Sequence, residues 1–289
     1  MSHFPTCKEL KLGARQKLAA ALAPCLMAAM TVVMVRFLVS VVLQRSGGAF
    51  LLYYWDTATN DIQSTLSLSA EGLFAALRLD EMGVGVSVAI TPIMVLTVLG
   101  MQLLCAAVTA PVRLGCLHHL WAVHTKQPIT PRAVFAPYAD PRRSLQSVLL
   151  ELLLTLIQLI LQLIFCLPAL YVLQDRGPTL EGFAAAGWTM TLGFLVCWLI
   201  MTQFDLSRYL LARDGQATAL SALRDNFALL RHAGGRFLRF RLSFAILEIL
   251  TGLTNGVFDL FRFPYQGLAT IQWLESRERE LKEDTVCPL

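Results

Sequence analysis

The sequence predicts an all-α fold, a polytopic transmembrane helical bundle of five to six spans with amphipathic interfacial helices. The chain of 289 residues has 15% charged and 56% hydrophobic residues and a mean hydropathy of +0.59. Soluble domains have roughly 25% charged and 45–50% apolar residues. Long uncharged runs recur along the chain, and Lys and Arg cluster between alternate runs. We therefore expect most of the protein surface to face lipid.

The uncharged runs delimit the predicted spans of a single integral membrane domain, residues 1–289. A helix rises ~1.5 Å per residue, so about 20 residues cross the ~30 Å hydrocarbon core. Four runs have 18 or more residues, a fifth is interrupted only by Glu248, and the sixth begins near Pro264 and is too short to cross alone. The predicted spans are residues 18–43, 86–112, 145–174, 182–204 and 241–260, followed by a short sixth helix at 264–280.

The distribution of basic residues predicts the orientation of the chain. The N-terminal tail and the second and fourth loops together hold 16 of the 24 Lys and Arg residues. The first and third loops hold only Arg45, Arg78 and Arg176, together with seven acids. Cytoplasmic loops of membrane proteins carry the excess of Lys and Arg. The N-terminus is therefore predicted to be cytoplasmic.

Capping residues predict the starts of three helices. Ser69 is placed to cap a short helix over residues 70–79 that lies on the membrane. Thr130-Pro131 and Asp140-Pro141 each combine an N-cap residue with proline at the first helical position, and the second pair is expected to start the third span.

An amphipathic helix is predicted over residues 216–231. Its apolar residues follow 3,4,3 spacing, which places them on one helical face, whereas Arg224, Asp225 and Arg231 lie off that face. We expect this apolar stripe to be buried against the membrane or the bundle. Its members are Leu220, Leu223, Phe227 and Leu230.

Several short segments occur in an order that resembles a known family. They are the basic N-terminal tail, then Pro111-Val112-Arg113-Leu114-Gly115, Arg208-Tyr209-Leu210-Leu211-Ala212, the stretch from Ala222-Leu223 through Leu229-Leu230 to Phe240-Arg241-Leu242-Ser243-Phe244, and Pro264-Tyr265. On these segments, spread over residues 10–279, the chain resembles the uncharacterised bacterial multi-pass membrane proteins catalogued as domain of unknown function nine hundred and seventy-five. The resemblance implies a helical membrane fold and a bacterial plasma-membrane location. It supplies no activity that could be carried over to this chain.

Two positions depart from that family's pattern. Pro168-Ala169 stands where the family usually has Pro-Gly at the end of span three, and Glu248 stands where the family has aromatic and aliphatic residues.

Polar residues follow helical spacing on two of the predicted spans. Polar groups within spans tend to face the bundle interior or a water-filled cavity, because exposing charge to lipid is costly. One interpretation is therefore a polar pathway or binding pocket between spans three and five, and the other is hydrogen bonding that determines helix packing. The stripe consists of Glu151, Thr155, Gln158 and Gln162 on span three, and Glu248, Thr251, Asn255 and Asp259 on span five.

Distance along the helices predicts charges at matching depths. Arg36 and Asp259 both lie about 27–28 Å from the inner face at ~1.5 Å per residue, which suggests an ion pair; alternatively, Arg36 extends alone to the outer headgroups. Glu151 and Glu248 share an inner depth of roughly 10–12 Å. Two such carboxylates share a proton, bind a cation, or pair with nearby arginines.

A basic stretch leads into the fifth predicted span. Arg231, Arg236, Arg239 and Arg241 are candidates for contact with anionic lipid headgroups, which attract basic residues near the membrane surface. The alternative is that these arginines only anchor the chain on its cytoplasmic side.

Motifs for catalysis, cofactors and metals are missing from the sequence. It contains no GxSxG, HExxH or phosphate-cradling Gly-Lys-Ser/Thr pattern. His118, His119 and His124 lack the i,i+4 spacing that would bind one metal ion. The positive charge is explained by membrane topology, so nucleic acid is not an expected partner. We therefore predict no catalytic, cofactor-binding or metal-binding residue.

These patterns lead to three functional hypotheses. The first is a membrane scaffold, assembly or accessory factor that acts through protein or lipid contacts, with a membrane-protein partner or a second copy of the chain. The second is a small-solute or ion permease that uses the polar stripes. The third is an intramembrane enzyme, which would need two acids or a nucleophile converging in a wet cavity.

Overall fold

The computed structural model describes residues 4–58, 76–80, 83–87, 92–127, 130–176, 180–254 and 257–286. Nearly all of these residues are helical. The helices are α1 (Cys7–Ala20), α2 (Leu22–Ala58), α3 (Pro92–His124), α4 (Ala136–Ala139), α5 (Pro141–Arg176), α6 (Leu180–Thr202), α7 (Leu206–Arg213), α8 (Ala219–Leu230), α9 (Gly234–Leu242), α10 (Ala245–Leu253) and α11 (Asp259–Val286). A 3₁₀ turn, Pro131–Phe135, precedes α4.

Four helical stretches among the described residues are long and apolar enough to cross a membrane. They are Leu22–Val39, Leu99–His124, Pro141–Phe165 and Ala184–Arg213. They correspond to the first four predicted spans, and they make the chain a multi-pass membrane protein. The predicted cap of the third span is confirmed, since Asp140 Oδ1 accepts hydrogen bonds from the backbone N–H groups of Arg142 and Arg143 at 3.0 and 3.4 Å.

The prediction of a short helix over residues 70–79 is wrong for residues 76–79. Residues 76–79 belong to β1 (Ala76–Asp80), which pairs antiparallel with β2 (Gly83–Ser87). In β2, Val84 and Val86 alternate with glycine, a period-2 pattern that suits a strand. Ser69 and residues 70–75 lie outside the described residues.

The first predicted span also begins later than expected. The chain breaks at Ala21 between α1 and α2, where the backbone angles leave the helical region. Pro24 explains this break because its ring has no N–H to donate and collides with the carbonyl group four residues earlier, that of Ala20. The long apolar helix therefore starts at Leu22 rather than at residue 18.

The fifth predicted span, residues 241–260, is not one helix. α9 ends at Leu242, α10 covers only nine residues, and α11 starts at Asp259. Ser243 Oγ donates to the carbonyl of Phe240, and Thr254 Oγ1 accepts from the backbone N–H of Phe258. Such side-chain bonds compete with the helical ladder at each break. The predicted sixth helix is part of α11, which is longer at both ends.

The chain divides into two compact units. Unit 1 contains Met1–Val35, Val108–Leu154 and Leu199–Leu289, and unit 2 contains Arg36–Ala107 and Thr155–Trp198. In unit 1, Trp273 packs against Phe237 with ring centroids 4.8 Å apart, and both side chains are fully buried. The second half of α3 is buried on nearly every side, so it is the central helix of unit 1.

A glycine in each unit permits a close helix contact. In unit 1, a Cβ atom at Gly115 would collide with the backbone carbonyl of Val134, so glycine allows the 3₁₀ turn to lie on α3. In unit 2, a Cβ atom at Gly193 of α6 would lie 2.8 Å from the carbonyl oxygen of Phe165 in α5. Small residues permit such backbone contact between membrane helices.

Candidate functional site

Unit 1 contains a continuous network of four carboxylates and four arginines, which we call the arginine–carboxylate network. Its formal charge is zero. The network joins six helices and includes the turn before α7. Its members are Arg113 (α3), Glu151 (α5), Asp205 and Arg208 (α7 and its N-cap), Arg241 (α9), Glu248 (α10), and Asp259 and Arg262 (α11).

The first half of the network is centred on Arg208. Its Nε and Nη2 atoms donate to the two carboxylate oxygens of Glu151 at 2.7 and 2.8 Å, a bidentate pair. Its Nη1 donates to Asp205 Oδ1 at 2.8 Å. Arg113 Nη1 lies 3.6 Å from Glu151 Oε1. The Arg208 and Glu151 side chains are only 16% and 12% exposed, so their charges depend on each other rather than on solvent.

The second half continues from Asp205 to α11. Arg241 bridges Asp205 Oδ2 at 3.0 Å and Glu248 Oε1 at 3.4 Å. Glu248 Oε1 also lies 3.4 Å from Arg262 and accepts from Gln266 Nε2 at 3.2 Å. Each of these acids therefore faces at least two donors.

This arrangement limits what the network can do chemically. A general acid or base must exchange a proton with a substrate, whereas a carboxylate held by arginine is stabilised in its charged form. Removing one partner of a buried pair leaves an uncompensated charge. The described residues also contain no group of three His, Cys, Asp or Glu side chains arranged to hold a metal ion. The network is suited to joining helices.

The members of the predicted polar stripe have different environments in the two units. Glu151 and Glu248 both belong to the network, where each pairs with arginine. Thr155, Gln158 and Gln162 belong to unit 2, in which Gln158 is exposed. Thr251 Oγ1 donates to the carbonyl of Leu247 within its own helix at 2.9 Å. Asn255 lies outside the described residues, so contact between the stripes stays a prediction.

The predicted pair of Arg36 and Asp259 also stays a prediction. Arg36 belongs to unit 2 and Asp259 to unit 1. Within unit 1, Asp259 Oδ1 accepts from Arg262 Nε at 2.7 Å, so this acid already has a cationic partner one helical turn away.

Sequence reasoning missed the partners that complete the network. Arg113, Asp205, Arg208, Arg262 and Gln266 were not proposed as site residues. A signal for some of them was present, because Arg113 follows span two and Asp205 and Arg208 follow span four, at the same end of the predicted bundle as Glu151. Grouping every charge by depth would have placed these residues together.

The four arginines proposed for lipid headgroups have different environments. Arg241 is buried in the network, where it pairs with Asp205 and Glu248, and its contact with lipid headgroups stays a prediction. Arg236 forms a bidentate pair with Glu280 at 2.9 and 3.1 Å and lies over the ring of Phe4. Arg231 and Arg239 are exposed.

The Arg236 pair is part of a smaller cluster on α11. Glu280 Oε2 also accepts from Arg277 Nη1 at 2.6 Å. Burial alone would raise the pKa of Glu280, but the hydrogen bonds from Arg236 and Arg277 outweigh it and lower the pKa. Arg277, itself buried, donates to the carbonyls of Leu229 and Arg231 at 3.2 and 3.0 Å. It therefore caps the C-terminus of α8 from another helix.

A second polar contact joins α1, α3 and α11 in unit 1. Lys17 Nζ lies 2.9 Å from His124 Nδ1, and His124 Nε2 lies 2.9 Å from Glu275 Oε2. Burial lowers the pKa of Lys17, and the negative charge of Glu275 partly opposes this shift. His119, five residues before His124, is fully buried, and its ring nitrogens lack a hydrogen-bond partner within the described part of the chain.

Two small depressions lie beside the network. One, with a cavity volume of about 10 Å³, is lined by residues that include Glu151, Arg208 and Ser147. The other, also of about 10 Å³, is lined by residues that include Arg142, Arg143 and Asp214. Sites for small molecules usually have ~300–1,000 Å³. Neither depression has the size expected of a substrate pocket.

No protein-family model, curated protein or solved structure matches this chain.

Proposed function

We propose that this chain is a non-enzymatic protein of a bacterial plasma membrane that acts as a scaffold, assembly factor or accessory subunit through protein or lipid contacts. The observation that carries the proposal is the pairing of every carboxylate in the arginine–carboxylate network with arginine. The resemblance to the bacterial multi-pass family agrees with the membrane location in this proposal, because it implies a helical fold in the bacterial plasma membrane.

The electrostatics of the network favour a scaffold over the other two functions. An intramembrane enzyme that works by acid–base catalysis needs an acid that can give and take a proton, and a permease needs polar groups left free along a path for the solute. In the network, Glu151 and Asp205 instead bind the same guanidinium, that of Arg208. Ion pairs of this kind join α5, α7 and α9 into one unit.

The distribution of basic residues between the units supports the orientation in this proposal. Only four of the 24 Lys and Arg residues lie in unit 2, namely Arg36, Arg45, Arg78 and Arg176. The positive-inside rule therefore favours a cytoplasmic N-terminus. α10, with nine residues, is too short to cross the membrane alone.

Cysteine labelling in intact cells tests this orientation. In a background without reactive native cysteines, a membrane-impermeant maleimide should label a cysteine at Thr57 and fail to label one at Gln127. Both positions should react after the membrane is permeabilised. The opposite pattern in intact cells would overturn the orientation.

Apolar surface on the spans provides the contact area that a scaffold requires. Trp188 on α6 is 73% exposed, and Leu192 and Leu195 on the same helix are also exposed. In a membrane this surface meets lipid, a membrane-protein partner or a second copy of the chain.

Substitutions in the polar stripe test whether the protein is a scaffold or a permease. The double variant Gln158→Leu with Gln162→Leu removes both amides from α5 and keeps the helix apolar. A scaffold predicts an unchanged melting temperature and an unchanged phenotype when the variant replaces the native gene. A permease predicts normal folding with loss of function. Leu163→Ala, at an exposed position of the same helix, is the matched control for an ordinary surface change.

A further inference from the structure

Helix α8 has an exposed face on which leucine and phenylalanine alternate with arginine. Leu220, Arg224, Phe227 and Arg231 follow one another at spacings of four, three and four residues, which places them on one face. Leu220 is 68% exposed and Phe227 is 54% exposed. The predicted apolar stripe is therefore divided, because Leu230 packs into unit 1 whereas Leu220 and Phe227 face outward.

The orientation of α8 is determined by its buried side. Ala219, Ala222, Asn226 and Leu229 are buried against the rest of unit 1. Capping holds both ends, since Thr218 and Ser221 form a capping box and Arg277 binds the last carbonyls. The exposed face is thus a fixed surface of unit 1.

Two contacts place this face beside the end of a membrane span. Asn226 Nδ2 donates to the carbonyl of Gln203 at 2.9 Å, and Phe227 meets Phe204 edge to face at 5.4 Å. Gln203 and Phe204 directly follow α6, and about 20 residues from Ala184 already cross the hydrocarbon core. Phe227 therefore lies at the depth where acyl chains meet headgroups.

We propose that α8 is a lipid-binding helix that lies in the membrane plane, with Leu220 and Phe227 inserted among acyl chains and Arg224 and Arg231 bound to anionic lipid phosphates. Arginine extends its charged group toward the headgroups while its methylene groups remain in apolar surroundings. Helices that alternate large apolar residues with cations bind anionic bilayers in this way. The proposal rests on the membrane location in the proposed function.

The charge of this face favours lipid over a second copy of the chain. A symmetric dimer brings the same patch together from both copies, so Arg224 and Arg231 would face arginines. The only acid among the exposed positions of α8, Asp225, lies on the neighbouring column with Ser221 and Ala228. That column is polar or small, and it should face water.

Photo-crosslinking tests the proposal on the full chain. Benzoylphenylalanine in place of Phe227 should form a lipid adduct in vesicles of equimolar phosphatidylglycerol and phosphatidylcholine. The same residue in place of Ala228 is the matched control and should give several-fold less lipid adduct. A Phe227 crosslink to a second copy of the chain, or equal lipid adduct at both positions, would overturn the proposal.

The role of the arginines is tested separately. The yield of lipid adduct at position 227 should be several-fold higher with phosphatidylglycerol present than with phosphatidylcholine alone. Arg224→Gln with Arg231→Gln should abolish that preference, whereas Arg279→Gln, at an exposed cation of α11, should leave it intact. A preference that persists in the double variant would overturn the assignment to these arginines.

The design distinguishes this inference from the membrane location on which it rests. Co-flotation of the chain with the vesicles reports insertion independently of α8. A chain that floats but gives no lipid adduct at position 227 refutes the lipid-binding helix alone. A chain that does not float refutes the membrane location.

Discussion

Units 1 and 2 are stabilised by different kinds of contact. The core of unit 1 contains large side chains, such as Trp273, Phe237 and Phe240, together with the arginine–carboxylate network. In unit 2, the buried residues among those whose burial the structure describes are all small: Ala169, Gly182, Gly193 and Cys197. Many of its large apolar side chains, Trp188 among them, face outward.

This difference follows from the solvent. Burial of apolar area drives packing in water, so a chain segment in contact with water gathers large apolar residues inside. Lipid offers no such driving force, and helices in lipid associate through close contact at small residues. Unit 1 thus has the pattern of a water-stabilised core, and unit 2 has the pattern of helices in hydrocarbon.

The largest expected effect is the loss of a carboxylate from unit 1. Glu151→Gln should lower the free energy of unfolding by about 3–5 kcal/mol, because Arg208 and Arg113 lose their shared counter-charge. Denaturant unfolding in detergent micelles measures the change. Glu181→Gln, an exposed acid of unit 2, should change stability by less than about 0.5 kcal/mol. Equal losses of unfolding free energy in the two variants would show that the ion pairs of Glu151 do not stabilise unit 1.

The interhelical cap in unit 1 should give the next largest effect. Arg277→Met removes charged hydrogen bonds to the carbonyls of Leu229 and Arg231, and a hydrogen bond to a charged group contributes about 1.5–3 kcal/mol. Arg279→Met, two residues along the same helix and exposed, is the control and should be nearly neutral. If the unfolding curves of the two variants coincide, the cap does not stabilise α8.

Packing in unit 2 should respond to a single methyl group. Gly193→Ala should destabilise the chain by about 1–3 kcal/mol, because the new Cβ would lie 2.8 Å from the carbonyl oxygen of Phe165. Gly187→Ala in the same helix is the control, since no atom lies within 4 Å of its Cβ position. That substitution should instead stabilise the helix by up to ~1 kcal/mol. Melting temperatures that shift equally in both variants would argue against close packing at Gly193.

The smallest expected effect is a pH dependence from Glu280 in unit 1. Its pKa is lowered from the usual 4.5 in the folded chain, so it stabilises the fold above that value and loses its contribution as pH falls through the folded pKa. Because its side chain is 26% exposed, solvent screening should keep the contribution below ~1 kcal/mol. Melting temperatures of the native chain and of Glu280→Gln should therefore converge on acidification. A difference in melting temperature that grows as pH falls would contradict a lowered pKa for Glu280.

Short stretches of sequence predicted the elements that depend only on residues close together in the chain. Asp140 before Pro141 predicted the cap of α5, and the uncharged runs predicted the four helices that can cross a membrane. The fifth run was predicted as one helix because hydropathy does not register the backbone breaks at Ser243 and Thr254. The side of α8 that faces unit 1 was also missed, since its buried residues include the small Ala219 and Ala222 and the polar Asn226.

The sequence by itself determined which residues share a helical face, because helical spacing depends only on neighbours along the chain. Only the tertiary structure decided which partner each charge takes. Glu151 and Arg208 are 57 residues apart in the chain, and no spacing rule relates them. Their pairing depends on the packing of α5 beside α7, and that packing places a carboxylate in reach of a guanidinium where neither charge is well solvated.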